Sequence, residues 1–311
     1  MDGAASANDQ FTTLWNELLT PLRAGLTLLP DKPEETAENT LKALWLKANG
    51  TPQSVVKAES STLTPLRAEH IATLRDLIQK RLAGTPLAHL TERQHFMGLE
   101  MLAGPEALVP RHETELLARA ALVKAKELAQ SEQPLTIVDI CTGSGNVALA
   151  LAAHLQQQTI RAQTFAADLS EEAVGLAQRN AQMLNLEQLV EFRAGDLLAP
   201  FDSASFHGNV DLLTCNPPYI NQAKVELMPS EISAHEPRLA FDGGPFGVSI
   251  LMRLLEEAPH YLKPGGWLVF EVGLGQGASL IKRMQRNNVF QQVVPVHDSA
   301  DAIRAICAQR S

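Results

Sequence analysis

Cysteine is scarce in this chain: Cys141, Cys215 and Cys307 are the only three in 311 residues, far apart and in no C-x-x-C pair. That excludes a disulfide framework and a structural zinc site, and it makes a reducing cytoplasm the expected home. No apolar run approaches the ~20 residues of a membrane span, so no membrane association is expected. The small, polar start over Met1 to Gln10 lacks the basic and apolar segments of a secretory signal. Basic residues are in deficit, 26 against 35 acidic, and the resulting net charge of −9 disfavours stable, charge-driven binding of nucleic acid. The nine histidines show neither metal spacing nor a partnered nucleophile. No metal is therefore expected, and His112, His235 and His297 are assigned to surface or core.

What is present divides in two. Residues 11 to about 85 carry helical periodicity and no strand pattern. Phe11, Leu14, Leu18 and Leu22 recur at helical spacing, with Pro21 and Pro30 as punctuation. Pro33 with Glu34 and Glu35 reads as a second helix start, and Thr64 with Pro65 as the cap and first turn of a third that presents Leu66, Ile71, Leu74, Ile78 and Leu82 to a core. Lys42, Arg67, Lys80 and Arg81 form either a basic patch or ordinary solvated helix faces. This gives a helical domain over 1–85, a hairpin connector over 86–110 and an α/β domain over 111–311. In the last, strands (135–140, 164–167, 190–193, 210–215, 267–272, 292–296 and 302–307) alternate with helices (146–155, 171–184, 248–261 and 277–287), as in a parallel sheet covered on both faces.

The chemistry lies at the ends of those strands. The first runs into Asp139-Ile140-Cys141-Thr142-Gly143-Ser144-Gly145, a tight turn whose glycines permit close approach of a ligand to the backbone. The second ends in Asp168, placed to accept hydrogen bonds from both hydroxyls of a ribose. The third ends in Gly195-Asp196-Leu197, where Asp196 can accept from an adenine amino group and Leu197 can pack on the base. The fourth ends in Asn216-Pro217-Pro218-Tyr219. An asparagine amide and a proline-constrained carbonyl there can accept both hydrogens of an NH2 on a flat, conjugated group while a tyrosine ring lies along its face. Glycine loop, ribose acid, adenine acid and N-P-P-Y follow in the order expected when S-adenosyl-L-methionine lies across the carboxyl ends of the strands.

From Arg81 to Gly273 the chain resembles the class I, Rossmann-like S-adenosylmethionine-dependent methyltransferases, and within them the HemK-type protein glutamine methyltransferases. The resemblance is carried by Gly84-Thr85-Pro86-Leu87, Leu108-Val109-Pro110-Arg111 with Glu113-Thr114-Glu115, Cys141 to Gly145, Asn216 to Tyr219, and Glu236-Pro237-Arg238-Leu239-Ala240 followed by Asp242-Gly243-Gly244. It implies a seven-stranded, mostly parallel sheet with a small N-terminal helical domain that helps recognise a protein substrate, usually a peptide chain release factor methylated on the glutamine of a Gly-Gly-Gln loop. It implies S-adenosyl-L-methionine as cofactor, held by Cys141, Thr142, Gly143, Ser144, Gly145, Asp168, Asp196, Leu197 and Asn216.

The glutamine nitrogen is a weak nucleophile because its lone pair is delocalised. In the expected arrangement the Asn216 side-chain oxygen and the Pro217 carbonyl accept its two hydrogens, Tyr219 stacks on the amide, and Pro218 completes the substrate contact. Open alternatives are a ribosomal-protein glutamine, a nucleobase flipped into the same pocket, or a small-molecule amine. Asp139 is expected to anchor the loop backbone. Arg111, Glu113 and Glu236 either line the substrate entrance or form an ion-pair cluster, and Glu271 either faces the pocket or orients its neighbours.

Overall fold

The computed structural model describes every residue except 1, 30, 130–132, 222–234 and 245–246, with side chains from residue 9 onward. Pro30 therefore lies outside the described residues. The chain divides into two compact units, Met1–Gly104 with Ser230–His235, and Pro105–Pro229 with Glu236–Ser311.

The first unit comprises helices α1 (Asp2–Gly25), α2 (Ala37–Ala48), α3 (Val55–Glu59), α4 (Ala68–Leu82) and α5 (Leu87–Thr91). An antiparallel hairpin of β1 (Arg93–Phe96) and β2 (Leu99–Leu102) follows. The apolar stripe read from the sequence converges in part: Leu18, Leu22, Leu41, Leu44, Trp45, Leu74 and Ile78 share one core with Phe11, Leu14 and Leu66 packed against it, whereas Leu82, in the last turn of α4, is exposed and Ile71 is not in that core.

Four local expectations are corrected by long-range contacts. Pro21 lies inside α1 and does not end it; its fixed φ is already helical, and the buried faces of Leu18, Leu19 and Leu22 offset one lost N–H. The second helix starts at Ala37 under a Thr36 cap, not at Pro33, because Glu35 is drawn into a buried ion pair with Arg81 at 2.8 Å. The third main helix starts at Ala68, not at Thr64. Both Thr64 oxygens are already engaged, the carbonyl by Trp45 Nε1 and the hydroxyl by Asn49 Nδ2, each at 2.8 Å. Finally, Arg81 belongs to no basic patch, being only 3% exposed. The other three cations are also engaged, Lys42 by the Glu59 carbonyl, Arg67 by Glu69 and Lys80 by Asp76.

The second unit begins with α6 (His112–Leu128) and continues as β3 (Leu135–Ile140), α7 (Asn146–Gln157), β4 (Ala162–Asp168), α8 (Glu171–Leu184), β5 (Val190–Ala194) and β6 (Val210–Cys215). After β6 come α9 (Ser249–Tyr261), β7 (Leu262–Glu271), α10 (Gly277–Arg286), β8 (Phe290–His297) and β9 (Ile303–Arg310). The strands form one seven-stranded sheet in the order β5-β4-β3-β6-β7-β9-β8, parallel except where β9 runs against β7 and β8. The chain starts at β3 in the middle, winds outward through β4 and β5, and returns to β6 on the other side. The carboxyl ends of β3 and β6 thus flank the switch point where a crevice opens. Val138, Ile140, Leu213, Leu268 and Phe270 of the central strands belong to the apolar core.

The Glu35–Arg81 pair yields a stability prediction for the first unit. Arg81→Met removes the 2.8 Å partner of the buried Glu35 carboxylate and is expected to cost about 3 kcal/mol. Urea unfolding followed by the fluorescence of Trp15 and Trp45 measures it, and an unchanged midpoint refutes it.

Candidate methyl-transfer site

The parallel register sets Asp139 of β3 beside Thr214 of β6, and Ile140 beside Cys215. The two following residues, Cys141 and Asn216, therefore leave the sheet at the same level. Asp139 is 1% exposed and accepts a hydrogen bond from each neighbouring hydroxyl, Thr142 Oγ1 to Oδ2 and Thr214 Oγ1 to Oδ1, both at 2.6 Å. Burial pushes its pKa up to about 6; the two hydroxyls act in the opposite direction and the nearby Asp168 carboxylate reinforces the rise. One carboxyl thereby ties the glycine loop to the strand that delivers Asn216. Asp139 also reaches the cavity wall.

The glycine loop is shaped by backbone conformations that side chains resist. Gly145 has φ +82°, and a Cβ there would lie 3.1 Å from both Ala177 and Leu149, so α7 and α8 approach the loop only because the residue is glycine. Gly143 is different. A Cβ on it would meet only Ala107, at 3.9 Å, so that side of the loop is open as a cradle. Asp168 Oδ2 accepts from Gly143 N at 2.8 Å and Oδ1 from Ser170 N at 3.0 Å. Burial raises its pKa while those backbone donors act against the rise. Asp196, at the end of the next strand, is held through both oxygens by Arg253 at 3.0–3.2 Å.

A cavity of about 200 Å³ opens over these strand ends. Of the residues singled out from sequence, Cys141, Thr142, Gly143, Asp168, Asp196, Leu197, Asn216 and Pro218 line it. Ser144, Gly145, Pro217 and Tyr219 are not among its lining residues. Ser144 is buried and its carbonyl accepts from Asn180 Nδ2 at 3.0 Å, Gly145 caps α7, and Pro217 is buried. The Tyr219 hydroxyl donates to Glu271 Oε1 at 2.8 Å, and burial together with that carboxylate pushes its own pKa well up, so the phenol stays a donor. Leu108, Leu169, Leu197 and Ile250 supply apolar wall. Two carboxyls on successive strands, apolar walls and an open glycine cradle fit the S-adenosyl-L-methionine that the resemblance implies: a diol for one acid, an amino group for the other, a flat base between.

Asn216 donates through Nδ2 to Thr114 Oγ1 at 3.2 Å. The tetrad it heads is clamped from below. Ile220 N donates to Phe241 O and Gly243 N to Ile220 O, both at 2.9 Å, while Gln276 Nε2 donates to Tyr219 O and Gly247 O at 3.1 Å. Cβ atoms on Gly243 and Gly247 would sit 2.8 Å from Pro218 O and 2.4 Å from Tyr219 O. The Asp242-Gly243-Gly244 string is thus a packing surface for N-P-P-Y. Arg111 and Glu236 form a buried ion pair at 3.0 Å, and Glu113 meets Arg304 at 3.4 Å; none of the four lines the cavity. Sequence reading passed over Thr114 as a partner of Asn216, and over Gln276, whose only sequence signal is its place at the start of α10, three residues after Gly273.

Comparison with known proteins follows this geometry. A protein-family profile described as a methyltransferase domain matches residues 131–303. The chain is 36% identical over 254 residues to the release factor glutamine methyltransferase of Geobacter sulfurreducens, covering 81% of this chain and 84% of that one. It is 37% identical to the protein of the same name from Moorella thermoacetica (75% and 78% covered) and 30% identical to that from Bacillus subtilis (87% and 91% covered). Among solved structures it is similar to the hMettl16 catalytic domain in complex with MAT2A 3'UTR hairpin 6. There the TM-score is 0.52 at 17% identity, with 75% of this chain and 81% of that one covered. That likeness shows the fold: this is the class I methyltransferase architecture that the sequence resemblance implied.

Asp139 gives the site a measurable signature. Its folded pKa of about 6 lies above the unfolded value of 3.8, so the folded state holds the extra proton between roughly pH 4 and 6. This group's contribution to stability therefore falls as pH rises through that window, by up to about 3 kcal/mol. The difference in urea-unfolding free energy between wild type and Asp139→Asn should carry that slope and level off above pH 6. A difference independent of pH refutes the assignment.

Proposed function

The chain belongs to the release factor glutamine methyltransferases, and on that footing we propose that it transfers a methyl group from S-adenosyl-L-methionine to the side-chain nitrogen of the glutamine in the Gly-Gly-Gln loop of a peptide chain release factor. The observation that carries the reading is the state of Asn216. Its Nδ2 is turned to Thr114, and its Oδ1 accepts no hydrogen bond among the described residues. A cavity-lining amide with its acceptor limb unengaged is what an incoming –CONH2 needs.

The cofactor supplies an electrophilic methyl on sulfur. The protein's task is to hold the substrate nitrogen in line with it. Asn216 Oδ1 and the Pro217 carbonyl accept the two amide hydrogens, which orients the nitrogen lone pair, and orientation of this kind is worth roughly 7 to 11 kcal/mol. Tyr219, with its hydroxyl held by Glu271, supports the plane of the tetrad from behind the cavity wall. Asp168 and Asp196 hold the nucleoside, Cys141 to Gly143 wrap its tail, and Leu197 packs on the base. The helical region over residues 1–85 presents the protein substrate. A release-factor substrate places the enzyme where peptide chains are terminated, in the cytoplasm. Among the described residues, no helix is long and apolar enough to cross a membrane. The ribosomal-protein, nucleobase and small-molecule alternatives are set aside: relatives matched over most of their length are named for the release factor, and the charge of −9 opposes a nucleic-acid substrate.

Incubation of the purified protein with methyl-labelled S-adenosylmethionine and a release factor tests the reading. Label is expected in the tryptic peptide that contains Gly-Gly-Gln, and label confined to nucleic acid or to a metabolite overturns it. Asn216→Ala is expected to retain cofactor affinity and to lose methyl transfer by a factor on the order of 10² to 10³. Near-normal turnover in that variant removes Asn216 from the mechanism.

A further inference from the structure

Tyr219 is held at three places by one turn, the one that joins β7 to α10. Glu271, the last residue of β7, accepts from the Tyr219 hydroxyl through Oε1 at 2.8 Å. Gly273 passes the ring so closely that a Cβ on it would lie 2.9 Å from Tyr219 Cδ2 and 3.0 Å from Gln276 Oε1. Its φ is not left-handed, so these contacts are what demand a glycine there. Gln276, immediately before α10, takes the main chain. Its Nε2 donates to Tyr219 O and Gly247 O, both at 3.1 Å, and its Oε1 accepts from Gly273 N at 2.9 Å.

The direction of the Gln276 amide is fixed by these partners. A backbone N–H can only donate and a carbonyl can only accept, so one orientation of the amide satisfies all three bonds and the reversed one satisfies none. The turn that carries the three residues is itself tied down, by Gln276 N to Gly273 O at 3.1 Å and by Val272 N to Arg304 O of β9 at 2.9 Å. Such a grip matters because of what lies between Asn216 and Tyr219. Neither Pro217 nor Pro218 has an N–H, so the peptide plane that carries the Pro217 carbonyl offers no donor by which a neighbour could hold it. Its direction is therefore set from the two ends of the tetrad. One end is β6, with Asn216 tied to Thr114; the other is Tyr219.

We propose that Glu271, Gly273 and Gln276 are positioning residues that act as one device: by holding the hydroxyl, the ring and the carbonyl of Tyr219 they fix the direction of the Pro217 carbonyl, the second acceptor for the substrate amide. This rests on the glutamine-methylating reading above. The E-x-G-x-x-Q spacing follows from the task, since hydroxyl, ring edge and main-chain oxygen are each met by a different residue of one turn.

Steady-state kinetics on the release factor, with cofactor affinity by calorimetry, test this in the full-length protein. Gln276→Glu keeps the shape of the side chain and the acceptor for Gly273 N, but turns a carboxylate oxygen toward two carbonyls. It is expected to lower kcat by about 10- to 100-fold, with KM and cofactor affinity changed less than about threefold, because a small misplacement of the acceptor is enough to slow an oriented reaction. Gly273→Ala, which presses on the Tyr219 ring, should do the same. The proposal is overturned if Gln276→Glu leaves kcat within about threefold of wild type, or if cofactor affinity falls in step with kcat. Tyr219 and Tyr261 are the only tyrosines in the chain, which gives a readout independent of activity. In protein labelled with 13C-tyrosine, assigned with Tyr261→Phe, both variants should shift the Tyr219 ring signals and leave those of Tyr261 in place. Tyr219 signals that stay put, or a shift of both tyrosines alike, overturn the device as well. Tyr219 signals that move as expected in a protein that leaves release-factor glutamine unmethylated sink the functional reading alone, whereas active wild type with indifferent variants sinks the device alone.

Discussion

Everything at this site depends on one buried carboxyl between two hydroxyls. Asp139 sits on β3 directly opposite Thr214 of β6, and its hydrogen bonds to Thr142 and Thr214, both 2.6 Å, join the glycine loop to the strand that ends at Asn216. Removing a carboxyl from water is costly, and the pKa near 6 records that cost. The fold bears it at the place where two backbones must leave the sheet in step. A change in the separation of β3 and β6 would move the cradle around Gly143 relative to the amide of Asn216, and two strong hydrogen bonds from one residue oppose such a change.

A second set of contacts holds the tetrad from the opposite side. Gly243 and Gly247 pass so close to the Pro218 and Tyr219 carbonyls that no Cβ fits, and the Gln276 amide bonds Tyr219 O and Gly247 O together. The prolines restrict φ, but they also remove two N–H donors from the exit of β6. The backbone therefore receives its order from neighbours, through the Ile220 and Gly243 hydrogen bonds and the short parallel bridge between Ile220 and Asp242. This explains physically why E-P-R-L-A-x-D-G-G accompanies N-P-P-Y in one chain: the first string is the bed on which the second lies.

Local signals were read well. β3, β6 and α8 occupy the ranges that apolar runs and the Ser170 cap indicated, and Asp139, Asp168 and Asp196 line the cavity. What escaped the sequence depends on partners far along the chain. Asn216 and Thr114 are 102 residues apart, and Tyr219 and Glu271 are 52 apart. Nothing local to Thr114 in a P-R-x-E-T-E string distinguishes a cap residue from a hydroxyl aimed at another strand's asparagine. The same limit misplaced the start of α4, since the oxygens of Thr64 serve Trp45 and Asn49, and it put Arg81 on a surface when Glu35 holds it inside. Motif chemistry shows which residues converge; the direction in which each hydrogen bond runs is a tertiary fact.

That direction matters because of what the substrate is. An amide nitrogen has little nucleophilicity, and two kinds of help are available to it. General-base catalysis typically contributes 10²- to 10⁴-fold, about 3 to 5 kcal/mol, and orientation roughly 7 to 11 kcal/mol. The carboxyls near the cavity are poorly suited to the first. Asp139 is held by two threonines, Asp168 by two backbone N–H groups and Asp196 by Arg253, while Glu271 is not among the lining residues. Their arrangement suits the second: each is an acceptor with a fixed geometry, and together they fix the loop and the cradle. A site built in this way suits a reaction in which the substrate nitrogen is held still: two strand ends and a glycine bed are packed around the tetrad that Asn216 heads.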